Sequence, residues 1–267
     1  MVGKKSTAKT IRCQPSHPAK GGNIAKKDRI FLWLKTGNSY ILVFMKNIRK
    51  VSLFKDLSDA EFKELEPYLT TVEFKKKDTI FSEGEPPEWF YIVLSGKVKI
   101  TKLSHDGKEI ILEVISPTDI FGGVAVIKGF PYPANAVAME DSEVLRITRK
   151  NLMRLVDRFP NLMYCMAMQL GDRMKSSYDS LKNIALERVE ARIAALLLKL
   201  AGKIGIPAAE GTLIDMRLTK QDVADMVGTT VETSIRTFSK FKKQGLVTEL
   251  DGKIVIKDKE GLAAFSS

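Results

Sequence analysis

"LTKQDVADMVGTTVETSIRTFSKFKKQGLV", residues 218–247, is the stretch on which the fold of this chain turns. Thr219 stands where a first helix would be capped, and Val223, Ala224 and Val227 share one side of that helix. Gly228 breaks it, at a sharp turn that favours a residue tolerant of positive φ. Thr230 caps a second helix, with Ile235 and Phe238 on its packing side. Helix, tight turn, helix is the pattern of a helix-turn-helix. The following "GLVTELDGKIVI" (245–256) adds two short strands around Asp251-Gly252, which read as a wing. Between residues 231 and 243 one acid, Glu232, faces Arg236, Lys240, Lys242 and Lys243. Such cations can meet phosphates while the helix N-terminus points at base edges. Each part alone is a weak signal; the ordered set is specific.

Working toward the N-terminus, "GTLIDMRLT" reads as a turn and a short strand, and "ERVEARIAALLLKLAGKIG" as a core-facing helix ending at Gly202 or Gly205. A longer helical run follows Pro160. Its residues Met163, Ala167, Leu170, Met174, Ser177, Leu181 and Ile184 recur at alternating steps of four and three. That is the seam of a two-stranded coiled coil, and it predicts a parallel homodimer. A helix lying on its own domain would carry the same residues. Before it come "RKNLMRLVDRF", a short helix, and four β-rich runs: "TVEFKKKDTIFSEGE", "WFYIVLSGKVKITKL", "KEIILEVISPTDIF" and "ANAVAMEDSEVLRIT". Short strands at this spacing, with a hairpin turn at Asp106-Gly107, predict a β-roll or jelly roll. Ser58 with Glu61 marks a capping box ahead of them. The expected fold is α+β: a β-roll over residues 46–159, a dimerisation helix over 160–185 and a winged helix-turn-helix over 186–267.

The chain has 267 residues and a formal charge of +11. Residues 1–44 hold nine Lys/Arg against Asp28, so they account for +8 and leave only +3 for the rest. Global charge therefore says little about partners, and local clusters decide. The first 45 residues are basic and aperiodic and read as a disordered extension, with Met45 a candidate true start; a basic arm assisting DNA binding is the other reading. "IFLWLKTGNSYILVFM" is too short and too interrupted to span a bilayer. Cys13 and Cys165 make no disulfide framework and fit a reducing cytoplasm.

From Ser52 to Leu262 the chain resembles the Crp/Fnr family of bacterial transcription regulators. The stretches that carry the resemblance are "FSEGEPPEWFYIVLSGKVKI", the "FGG…A" loop from residue 121, and "VETSIRTFSKFKKQGLV". The resemblance implies a homodimer that binds double-stranded DNA at a palindromic operator, with RNA polymerase a further candidate partner and no membrane. It implies DNA contacts from Thr219, Gln221, Thr230, Val231, Glu232, Thr233, Arg236, Lys240 and Lys242. Within these, Glu232 and Arg236 correspond to the family's base-reading Glu-x-x-x-Arg pair. An Arg fork can bond guanine O6 and N7 together, and a carboxylate accepts from cytosine N4. Val231 and Ile235 depart from the family's flanking residues, so only a TGA-like core of the half-site is implied.

Members of the family that bind cyclic nucleotides carry F-G-E-x-A-L-L-x-x-x-x-R-x-A in this loop. Aligned without gaps from Phe121 to Ala134, this chain places Gly123 at the ribose-binding Glu and Tyr132 at the phosphate-binding Arg. Loss of both charge-assisted partners argues against a cyclic-AMP site. The implied pocket comprises Gly122, Gly123, Val124, Ala125, Tyr132, Pro133 and Ala134, with Ser177 and Tyr178 of the dimer helix as ligand contacts or as seam and solvent residues. Lys128, midway along the loop, is expected in solvent. The expected effector is an unknown small molecule other than cyclic AMP, lodged between β-roll and dimer helix. The alternatives are an effector-independent regulator, marked by a pocket filled by Tyr132 and apolar neighbours, or a family member responsive to cyclic AMP or haem. Two cysteines cannot supply a four-cysteine iron–sulfur cluster. A haem ligand would have to come from His17 or from His105 in its hairpin turn, and a surface role suits His105 better. No metal site is expected. A cupin-type enzyme would need clustered His and Glu ligands, and no His cluster or nucleophile–base pair is present.

Overall fold

The apolar residues of the four β-rich runs alternate over short distances, and each run folds as two strands joined by a short turn. The computed structural model describes residue 51, residues 53–55 and residues 57–266. The expectations about the N-terminal extension, Met45, Cys13 and His17 fall outside the described residues. The chain enters through α1 (Asp59–Leu65), where the Ser58 hydroxyl accepts the N–H of Glu61 and the Glu61 carboxylate accepts the N–H of Ser58. Strands β1 (Thr70–Phe74), β2 (Thr79–Phe81), β3 (Trp89–Ser95), β4 (Val98–Leu103), β5 (Glu109–Ile115) and β6 (Ile120–Phe121) follow. Then come α2 (Gly123–Lys128), β7 (Asn135–Ala138) and β8 (Ser142–Thr148). They pair antiparallel into two four-stranded sheets, ordered β1-β8-β3-β6 and β2-β7-β4-β5. Phe90, Ile92, Phe121, Leu145 and Ile147 are fully buried in this roll.

Strand β5 carries a bulge. Ile100 of β4 pairs with Glu113 and Thr101 pairs with Ile111, so Leu112 is one residue too many. Side chains alternate along a strand, and an extra residue resets the alternation. Ile111 and Val114 therefore share a face, and both join a buried cluster with Ile193, Leu197, Val223 and Val227. The exposed Leu112 is the residue left over.

After β8, Thr148 caps α3 (Arg149–Arg158) by accepting the N–H of Asn151. Pro160 then leads into α4 (Asn161–Leu186), 26 residues and about 39 Å long. On it only Leu162, Cys165 and Met166 are buried. The C-terminal part comprises α5 (Val189–Ile204), β9 (Gly205–Ala208), β10 (Gly211–Arg217), α6 (Lys220–Val227), α7 (Val231–Lys243), β11 (Val247–Leu250), β12 (Lys253–Ile256) and α8 (Lys259–Ala263). Its sheet runs β11-β12-β10-β9, so the wing is half of a four-stranded sheet. Strand β9 has no counterpart in the sequence expectations.

Helix α6 lies against β5 through the shared cluster. Ion pairs from the neighbouring helices hold the same part of the roll: Lys203 Nζ of α5 stands 2.7 Å from Asp119 and donates to the Val114 carbonyl at 3.1 Å, and Arg173 of α4 stands 3.2 Å from Glu113. Partly exposed pairs contribute roughly 0–1 kcal/mol each, so the apolar cluster dominates the docking. Among the described residues no helix is long and apolar enough to cross a membrane.

Candidate functional site

The helix-turn-helix is built by its caps. The Thr219 hydroxyl accepts the N–H of Asp222 at 3.0 Å while the Asp222 carboxylate accepts the N–H of Thr219 at 2.9 Å. Gly228, at φ 67°, ends α6 in the left-handed region. The Thr230 hydroxyl accepts the N–H of Thr233 at 3.3 Å and starts α7. Val223, Ala224 and Val227 are buried as their spacing predicts. The inner face of α7 is Ser234, Thr237, Phe238 and Phe241, an i, i+3, i+4, i+7 set.

This corrects one expectation. Ile235 does not pack inward: it is 49 % exposed. One residue turns a helix by about 100°, so with Ser234 and Phe238 facing in, Ile235 turns out beside Arg236. The polar but small Ser234 and Thr237 take the buried positions instead.

The outer face of α7 carries exposed Glu232 and Arg236, one turn apart, with Thr230 at the helix start. Val231 and Thr233 are half-buried beside them. The Glu232 carboxyl is held below the usual carboxylate range by its own backbone N–H and by the Thr230 hydroxyl, so it is an anion, and an acceptor, at neutral pH. Gln221 is exposed and donates to Asp225 at 2.7 Å, while Thr219 is exposed at the first cap. Lys240 is paired with Glu190 at 2.9 Å and Lys242 with Glu249 at 3.1 Å. Each ammonium keeps further donors and partial exposure, and the neighbouring carboxylate offsets part of its charge toward a phosphate. Lys243 is exposed.

The second candidate site lies in the β-roll. Residues 123–128 are a six-residue helix, α2, where the sequence suggests a glycine-rich loop. Gly122 and Gly129, at φ 73° and 81°, bound it at both ends. The helix forms because left-handed glycines at each end let a short apolar turn enter and leave the roll. The Arg149 guanidinium steadies it, donating from Nε to the Val126 carbonyl at 2.7 Å. Ala125 and Ala134 are buried, while Val124, Lys128 and Pro133 are exposed.

Tyr132 is buried and points into the roll. Its ring stacks on Phe81 at 3.9 Å between centroids, and Phe81, Tyr91 and Phe121 lie mutually within 5.0–6.0 Å. Its hydroxyl accepts the Trp89 N–H at 3.0 Å and donates to the Trp89 carbonyl at 2.6 Å. The Tyr91 hydroxyl is bonded to the same oxygen, and burial, followed by this neighbour, pushes the Tyr91 pKa up. A hydroxyl has one donor and two acceptor sites, so Tyr132 is saturated. At Gly123 an added Cβ would stand 3.0 Å from the Phe90 ring and 3.3 Å from the Met166 methyl. The position where relatives of this pattern carry Glu is thus tight against Phe90 and Met166, and the one where they carry Arg is filled by Tyr132. The rings of Phe81, Tyr91 and Phe121 are absent from the sequence-derived pocket. They arrive from strands of both sheets, which local spacing does not join.

On α4, Met163 is half-buried, whereas Ala167, Leu170, Met174, Ser177, Leu181 and Ile184 are exposed. The seam is an apolar stripe with nothing from its own chain over it. Ser177 donates to the Arg173 carbonyl at 2.9 Å, and Tyr178 is 63 % exposed. Among the described residues no group of His, Cys, Asp or Glu has the arrangement of a metal site.

Comparison with known proteins follows the same division. Residues 71–159 match the model of the cyclic nucleotide-binding domain, and residues 191–265 match that of the Crp-like helix-turn-helix domain. The chain is 28 % identical over 217 residues to the CRP-like cAMP-activated global transcriptional regulator of Mycobacterium tuberculosis, covering 81 % of this chain and 96 % of that protein. It is 26 % identical over 210 residues to the anaerobic regulatory protein of Bacillus subtilis, covering 78 % and 88 %. Its fold is similar to that of FixK2 from Bradyrhizobium japonicum, with a TM-score of 0.67, 23 % identity, and 74 % and 98 % of the two chains covered. The relatives are transcriptional regulators rather than enzymes. With both domain models matched in order along one chain, this protein belongs to the Crp/Fnr family of DNA-binding transcriptional regulators.

Proposed function

We propose that the protein is a cytoplasmic, homodimeric regulator that reads a palindromic operator with α7 and is gated by an effector other than cyclic AMP. The observation that carries the DNA-reading part is the outer face of α7: an ionised Glu232 and an exposed Arg236 one turn apart, on a helix whose other face is anchored by Phe238 and Phe241. Two such helices related by a dimer axis meet successive major grooves about 34 Å apart. The exposed stripe on α4 supports the dimer, since an a/d seam needs a second helix to bury it. Contacts from Thr219, Gln221 and Thr230 would set the helix on the backbone, and RNA polymerase is the partner that an activating role would require.

The test is selection of bound duplexes from random DNA. The wild-type protein is expected to enrich palindromes with a TGA-like half-site core. Arg236→Ala is expected to lose about 1–3 kcal/mol of discrimination at one base pair of each half-site. An identical enriched motif from both proteins overturns the assignment.

The Mycobacterium tuberculosis relative is cAMP-activated by name, yet this chain has Gly123 and Tyr132 where the family's nucleotide binders carry Glu and Arg. The stacked ring of Tyr132 favours a second reading of the roll, as a closed support for the dimer rather than a receptor. Calorimetric titration with cyclic AMP is expected to give no saturable heat. Saturable binding that is abolished by a change at Tyr132 would reverse this.

A further inference from the structure

A cleft of about 240 Å³ lies between the C-terminal half of α4 and the helices α5 and α6 of the DNA-binding part. We propose that this cleft is an effector site for a small oxyanion, a carboxylate- or phosphate-bearing metabolite, with Arg192 as its principal ligand. The proposal rests on the reading of the protein as a gated regulator and gives the gate a place outside the roll.

Arg192 is the reason to expect a ligand. It lines the cleft, and its Nε has no hydrogen-bond partner among the described residues and is closed to solvent as the side chain stands, so a ligand meets it once the guanidinium turns toward the cleft. A buried N–H left unpaired is costly, and native structures rarely keep one without a reason. A guanidinium fork matches a carboxylate or phosphate with two parallel bonds. Two further cations line the cleft, Lys175 from α4 and Lys199 from α5. Partial desolvation, followed by Lys203, holds the Lys199 ammonium pKa down against the pull of Glu113 and Asp179, so an added anion there would be favourable. Asp172 and Asp179 at the rim limit the excess positive charge and suit a ligand that also carries a donor. Met226 and Val227 of α6 supply an apolar wall.

The position connects binding to DNA reading. Arg192 Nη1 is 3.9 Å from where a side chain at Gly228 would begin, and Gly228 is the turn between α6 and α7. An anion that draws the Arg192 fork toward α4 moves it relative to that turn. The cleft also remains open in the proposed dimer. Asp172, Ser176, Asp179 and Asn183 each follow a seam residue by two positions, about 200° around the helix, so they face away from the partner. Ile184 belongs to both the cleft and the seam.

The test uses the full chain with two probes, sodium succinate and sodium phosphate, each titrated in the absence of DNA. Saturable binding of at least one probe, at one site per chain, is expected. Arg192→Gln should weaken it about tenfold or more, and Lys199→Gln several-fold. The preferred probe assigns the head group: succinate alone a carboxylate, phosphate alone a phosphorylated metabolite. The second variant keeps the test decisive if Arg192→Gln fails to fold. No saturable binding of either probe, or equal affinities in the wild type and a folded variant, overturns the proposal. Because no DNA is present, that result leaves operator recognition untouched. Loss of operator recognition by the wild-type protein would instead overturn the regulator reading.

Discussion

Replacing Tyr132 with Phe removes a single oxygen from the β-roll. That oxygen holds three partners: the N–H of Trp89 at 3.0 Å, the carbonyl of Trp89 at 2.6 Å, and the hydroxyl of Tyr91. Each such bond contributes about 0.5–1.5 kcal/mol net, and a buried group that loses its partner without gaining water costs toward the upper end. Tyr132→Phe is therefore expected to destabilise the protein by about 2–4 kcal/mol, while the stack on Phe81 survives. Against a usual total of roughly 5–15 kcal/mol this is a large loss for one atom. Urea unfolding followed by Trp fluorescence would measure it, because Trp89 is itself a hydrogen-bond partner. Protein concentration must be held fixed, since a dimer's stability depends on it. A change of less than about 0.5 kcal/mol would show that the hydroxyl is not the saturated centre described above and would refute the reasoning.

Leu181→Glu places two like charges at the seam of the proposed dimer. It is expected to weaken dimerisation by about a hundredfold or more, seen by sedimentation equilibrium, and a dimer of unchanged strength would move the interface elsewhere. Glu143 lies directly opposite Glu73 across β8 and β1, and burial, followed by Glu73, raises its pKa above the ordinary 4.5. The folded protein therefore takes up that proton more readily than the unfolded chain. The penalty is full at neutral pH and is relieved as pH falls through the raised value toward 4.5. Glu143→Gln should add about 0.2–1 kcal/mol at neutral pH, and the gain should shrink on acidification. A gain that grows on acidification would contradict the sign.

Local signals were sufficient for much of the fold. The caps at Ser58, Thr219 and Thr230 and the turn at Gly228 act within one helical turn, so a sequence displays them directly. Ile235 shows where that stops. Two neighbouring positions differ by about 100° on a helix, and the buried face chose the small polar Ser234 over the apolar Ile235. Periodicity weighs hydrophobicity and has no access to the space available beneath the helix. The substitutions at Gly123 and Tyr132 were legible through the resemblance, but the filling of the pocket was not. It depends on Phe81, Tyr91 and Phe121 converging from separate strands. The docking of α6 on β5 and the cleft beside Arg192 are likewise set by segments far apart in the chain.

The bulge at Leu112 has a further meaning. Strand parity divides residues into two sets, one for each side, and a regular strand keeps that division along its whole length. One inserted residue exchanges the two sets midway. Strand β5 thereby sends Ile111 and Val114 to the interior it shares with the winged helix, while Ile115 is buried outside that shared cluster. The two halves of this regulator thus have an interior in common because one strand miscounts by one. Deleting the inserted residue, even while keeping every other hydrophobic residue, is expected to turn either Ile111 or Val114 away from that shared interior.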